Sequence, residues 1–188
     1  AKTVFNSGNQ FRRFNTSDLN DRPEQTKSVE MSKDYYVVTL YNDVKRNQYA
    51  YIDDSDLFGE KVIYLERDDR DAATEADYVM VDFFLEWSPV MTNEDVYVMG
   101  AITDWNFDEK NKMTYDFERK GYALSLLLKQ GYYDYIYAVK EKTQSVADVS
   151  VVAGDFWETK NEYTIYLYLF DPTQNYDQLI GVTTVLSH

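Results

Sequence analysis

Apolar and aromatic residues recur at every second position through most of this chain, a spacing that admits β-strands and leaves little room for amphipathic helices. In "DYYVVTLYND" the alternation puts Tyr36, Val38 and Leu40 on one face and Tyr35, Val37, Thr39 and Tyr41 on the other. In "YVMVDFFLEW" it separates Val79, Val81, Phe83, Leu85 and Trp87 from Tyr78, Met80, Asp82, Phe84 and Glu86. "QYAYID", "KVIYLER", "DVYVMG", "KMTYDFE", "YALSLLLK", "YYDYIYAVK" and "EYTIYLYLF" repeat the habit, each bounded by Gly, Asn, Asp or Pro. Short strands at this spacing predict an all-β fold, a β-sandwich.

Composition narrows the chemistry. The chain has 188 residues, 44% of them hydrophobic and 16% aromatic, enough for a packed core. A formal charge of −14, with no Lys/Arg cluster, repels nucleic-acid phosphate. No apolar run approaches the roughly 18 residues that would carry the chain across a bilayer. Zero cysteine removes disulfides, thiolate nucleophiles and cysteine-ligated metals. The single histidine, His188, is the last residue and a poor general base. We therefore expect no enzyme, no cofactor and no metal. "DDSDLFGE" echoes a calcium loop through Asp54, Asp56 and Gly59, but counting from Asp54 puts Phe58 and Leu65 where oxygen ligands belong. A turn whose aspartates cap backbone N–H groups is the expectation there.

The charged, non-periodic stretch "ERDDRDAATEAD" marks a boundary near residue 72. Residues 1–72 are then a β-rich segment, the end of a longer N-terminal β domain, and residues 73–188 a second domain. "ERKGY" and "KQGYY" place Gly121 and Gly131 in hairpins. The start, "AKTVFNSGNQ", shows no signal-peptide pattern.

From Tyr78 onward, a strand, a Ser-Pro corner and "VYVMGAITDWNFDEKNKMTYDFERKGYALSLLLKQGYYDYIYAV" resemble the early-set immunoglobulin-like domains, including glycogen-binding modules. That resemblance implies an immunoglobulin-like sandwich for the C-terminal domain and, as an alternative function, binding of an α-glucan or related carbohydrate. Trp105 would be the stacking platform, although a lone Trp in such a turn is more often a lid on the sandwich end. A resemblance over nearly the whole chain rests on "FNSGNQFRRF", "TEADYVMVDFFL", "MTYD" with "LLLKQGYYDYIYAV", "ETKNEYTIYLY" and "DQLIGV". These resemble the plug protein family of the type IX secretion system. The matching positions are Gly8, Asn9 and Phe11 to Phe14, then Thr74 to Tyr78, then Lys129 to Tyr133 with Tyr135, and finally Thr159 and Asn161 to Tyr163. The resemblance implies a non-enzymatic, periplasmic protein at the outer membrane. It would occlude the translocon barrel, its partner, from the periplasmic side without inserting into the membrane.

Trp105, Tyr132 and Trp157 are the candidate binding residues. Along "YYDYIYAV", Tyr133, Tyr135, Tyr137 and Val139 share a face expected in the core, whereas Asp134 and Lys140 mark the opposite face as partly solvated. "EYTIYLYLF" is apolar on both faces, which suits a strand covered twice or one exposed to a partner, with burial inside the fold as the expectation.

Overall fold

A computed structural model describes residues 6–20, 23, 25–47, 49, 51, 56–66 and 72–187. Most of the β-rich runs become strands. Strands β1 (Arg12–Asn15), β2 (Thr26–Met31), β3 (Tyr36–Leu40) and β4 (Lys61–Ile63) precede the one-turn helix α1 (Ala72–Glu75). Then follow β5 (Tyr78–Glu86), β6 (Glu94–Met99), β7 (Thr114–Asp116), β8 (Gly121–Lys129) and β9 (Gly131–Glu141). The one-turn helix α2 (Ser150–Ala153) and strands β10 (Glu162–Asp171) and β11 (Tyr176–Leu186) complete the chain.

Two sheets face each other across one core. The five-stranded sheet runs β2-β3-β5-β8-β7, all antiparallel except the parallel β3–β5 pair. The four-stranded sheet is organised around β9, which pairs antiparallel with β1, β4 and β6. Val38, Leu40, Val79, Val81, Phe83 and Leu85 from the first sheet meet Phe14, Val96, Val98, Tyr133, Tyr135 and Tyr137 from the second, all buried. The protein is an all-β sandwich.

The boundary expected near residue 72 does not divide this body. Strands from the first segment, β1 and β4, pair with β9, and β3 pairs with β5. A strand that borrows its hydrogen-bond partners from residues about 120 positions away cannot belong to a separate core. The candidate strand "QYAYID", the aspartate Asp54 and His188 fall wholly or partly outside the described residues.

The Gly121 turn forms the expected β7–β8 hairpin. "KQGYY" does not form one, because β8 and β9 lie in different sheets and the chain crosses between them at Gln130. The crossing is stapled at both ends. The Gln130 N–H donates to the Asp77 carbonyl at 2.9 Å, its side-chain amide donates to the Thr16 carbonyl at 3.2 Å, and its side-chain carbonyl accepts the Asp77 N–H at 3.3 Å. Gly131 is required at the next position, since a Cβ there would sit 2.3 Å from the Val62 carbonyl oxygen.

Candidate functional site

The odd-numbered tyrosines of β9 are core, as their alternation predicts. Tyr133 stacks on Phe14 at 5.2 Å and 13°, and Tyr135 meets Phe83 edge-on at 5.2 Å. The Tyr133 hydroxyl donates to the Lys129 carbonyl at the end of β8, whereas the hydroxyls of the next two tyrosines stay inside the sandwich. Tyr135 and Tyr137 each donate to one oxygen of Asp43, at 2.8 and 2.7 Å, and Arg12 donates to its other oxygen at 2.6 Å. The carboxylate is thereby satisfied on both sides, which is what burying it demands. Burial pushes both phenols well above their ordinary value, so they act as fixed donors. Arg46 stands beside this cluster and donates to the Gln10 carbonyl; burial, and then the charge of Arg12, lowers it to about 10. Neither Asp43 nor Arg46 stood out in the sequence, because "YNDVKR" looks like any polar strand end.

The even face of β9 differs from expectation. Asp134 is fully buried, because the 56–59 loop folds over it and gives the Leu57 and Gly59 N–H groups to one carboxylate oxygen. The other oxygen has no partner among the described residues, and burial raises the pKa of the group. Arg13 is directly opposite Asp134 in the β1–β9 register. Between them and the aromatic pair Tyr64 and Tyr132, whose centroids are 5.8 Å apart, opens a cavity of about 390 Å³.

The three candidate binding residues do not form one platform. Tyr132 is half-buried in the wall of that cavity. Trp105, 45% exposed, lies over Gly59, whose added Cβ would stand 2.6 Å from the indole, and meets Phe11 edge-on at 5.9 Å. Gly59 also holds φ +80°, which favours glycine on backbone grounds alone. Trp157 is 75% exposed in the turn after α2. No ring contact joins any two of the three among the described residues.

The largest exposed apolar surface lies elsewhere, on β10 and β11. These strands pair only with each other, and from Ile165 to Phe170 and from Leu179 to Leu186 their large apolar side chains are between 46% and 71% exposed. The expectation of burial for "EYTIYLYLF" is overturned, because no second layer lies on either face among the described residues. One face carries Ile165, Leu167, Leu169 and Val185; the other carries Tyr166, Tyr168, Phe170, Val182 and Leu179. The foot of the hairpin is fixed to the sandwich. The Asn161 amide donates to the Ser7 carbonyl at 2.9 Å, the Thr159 hydroxyl to the Gly8 carbonyl at 3.0 Å, and the Ser187 N–H to the Asn161 carbonyl at 2.9 Å.

The sandwich is shared with a crystallographically determined hypothetical protein from Parabacteroides merdae ATCC 43184, similar at 36% identity with a TM-score of 0.91. The match covers 95% of this chain and 45% of that one, so the chain spans less than half the length of that protein. No family model and no curated protein matches the chain. Among the described residues no helix is long and apolar enough to cross a membrane, and no group of three acidic or histidine side chains is placed to hold a metal.

Proposed function

We propose that this protein is a non-catalytic plug of a bacterial type IX secretion translocon, periplasmic and docked at the outer membrane, where it occludes the barrel from the inner side. The observation that carries this reading is the convergence of the separated motifs on one structural seam. Gly8 accepts from Thr159, Asn9 donates to the Ala153 carbonyl, Phe14 stacks on Tyr133, Arg12 and Arg13 pair in register with Tyr135 and Asp134, and Asp77 is latched to Gln130. The residues that carry the resemblance are therefore among those that tie β1 to β9, α2 to Asn9, and the β8–β9 crossing to Asp77. Rigidity suits an occluding part, since a plug that deforms would leak. The charge of −14 suits docking steered toward a basic mouth.

The test is electrical. Translocon barrel purified without its plug and inserted into a planar bilayer should conduct, and the added chain should close it, less effectively as salt rises. Unchanged conductance at saturating chain would overturn the reading. The alternative, α-glucan binding, draws on the half-exposed indole of Trp105. Saturable binding of glycogen or maltoheptaose that disappears in Trp105→Ala, at unchanged melting temperature, would put it first.

A further inference from the structure

The β10–β11 hairpin is built unlike the rest of the molecule. Each sheet of the sandwich turns one face to the core, whereas the hairpin is apolar on both faces and hydrogen-bonded to no other strand among the described residues. An isolated two-stranded hairpin is marginal in water, and an exposed edge is ordinarily blunted by Lys, Pro or an inward charge. Here Glu162, Asp171 and Asp177 stand at strand ends, and neither strand contains a Lys, Arg or Pro. Strands with apolar side chains on both faces belong in the middle of a covered sheet. The uncovered apolar area is on the order of 1,000 Å², taking aromatic side chains at roughly 150–250 Å² each, and so exceeds what one partner of a stable interface usually contributes.

We propose that this hairpin is the docking element for a further β domain carried on the same polypeptide, which adds strands to the hairpin and covers its apolar faces from Ile165 to Phe170 and from Leu179 to Leu186. Two observations select this occupant. The chain enters through Ser7 and Gly8 and leaves through Ser187 at one place, the hairpin's foot, where all three are tied to Thr159 or Asn161. Residues 7, 8 and 187 thus lie together beside the uncovered strands, so a domain linked near this foot has a short way to reach them. The similar Parabacteroides merdae protein, in turn, has more than half of its length outside the match, enough for another domain. A second copy of the chain fits less well. It would bring a charge of −14 against another −14, and stacking hairpin on hairpin covers one face of each while leaving the other in water. A bilayer fits less well again, because a two-stranded hairpin that no other described strand joins would carry the backbone N–H and C=O groups of its edges into hydrocarbon.

The proposal goes beyond the plug reading, and its test needs no translocon. Hydrogen exchange of residues 162–186 is compared between the 188-residue chain and the full-length gene product, with the mass of each particle measured by light scattering. The expected result is a monomeric 188-residue chain whose hairpin amides exchange about 100-fold faster than in the full-length product. The pair Leu167→Lys and Tyr168→Lys, one on each face, should leave the melting of the 188-residue chain unchanged and lower that of the full-length product. Equal exchange in both proteins, or a full-length product with no further folded domain, overturns the proposal. Protection in the short chain that rises with concentration, together with a dimeric mass, overturns it in favour of self-association. Protection that appears only with phospholipid vesicles overturns it in favour of a membrane.

Discussion

"YYDYIYAV" on β9 and "EYTIYLYLF" on β10 are nearly the same sentence in sequence, alternating tyrosines with aliphatic residues, yet one lies at the centre of the molecule and the other stands in solvent. The difference is in what each strand meets. β9 is flanked by β1, β4 and β6, and its odd face lies on Phe14 and Phe83. β10 has β11 on one side, and from Ile165 to Phe170 its side chains are more than half exposed. Alternation specifies a strand and its two faces; the covering layer comes from elsewhere in the chain or from outside it.

Substitutions can break this comparison. The largest effect is expected at the Asp43 cluster: Asp43→Ala strands Arg12 and the hydroxyls of Tyr135 and Tyr137 without their shared acceptor, and should cost about 3–5 kcal/mol in denaturant unfolding. Tyr135→Ala should lose a similar amount, about 3–5 kcal/mol, by opening a cavity between Phe14 and Phe83. A Tyr135→Ala protein that melted like the wild type would erase the contrast between the two strands. Gly131→Ala, which forces a methyl group onto the Val62 carbonyl, should cost about 1–3 kcal/mol. On the hairpin, Tyr168→Ala should change the stability of the 188-residue chain by no more than about 0.5 kcal/mol, the range of an exposed site.

The smallest effect sharpens the comparison through pH. Burial raises the pKa of Asp134 above its ordinary 3.8, so the folded state holds its proton more tightly than the unfolded chain. Between 3.8 and the raised value the native state binds more protons, and stability contributed by this group falls as pH rises through that window. Asp134→Asn removes the titration. The stability difference between wild type and Asp134→Asn should therefore move in favour of wild type as the pH is lowered from neutral toward 4, read by urea unfolding across the range. A difference independent of pH would mean that Asp134 is as well solvated when folded as when unfolded.

Much of the sandwich was legible in the sequence. The alternation marks β3, β5, β6, β8 and β9 and assigns the buried side of Tyr133, Tyr135 and Tyr137 correctly, because the period of a strand is a local property. The partners of those strands were not legible. That "KQGYY" crosses between sheets instead of turning back depends on Thr16 and Asp77 waiting at either side of Gln130. That Asp134 is buried depends on a loop more than 70 residues earlier in the chain. Of the site, Tyr132 was found beside a cavity, whereas Trp105, singled out by its turn in the resemblance to glycogen-binding modules, and Trp157 do not line it. The hairpin was recognised as apolar on both sides, but an apolar strand reads the same whether its cover is present or absent.

The β1–β9 pairing also has a consequence in time. Arg12 is in register with Tyr135 and Asn15 with Tyr132, so the seam closes a loop of more than 100 residues. Closing so long a loop is paid for in chain entropy before its contacts give anything back, and topologies dominated by such distant pairings reach the native state in milliseconds to seconds, slower than helical bundles. During synthesis β1 leaves the ribosome about 120 residues ahead of β9, the strand that completes it. For that interval Phe14 and Arg12 are without their native neighbours, and the segment "FRRFN" is where we expect a nascent chain to be most in need of protection from aggregation.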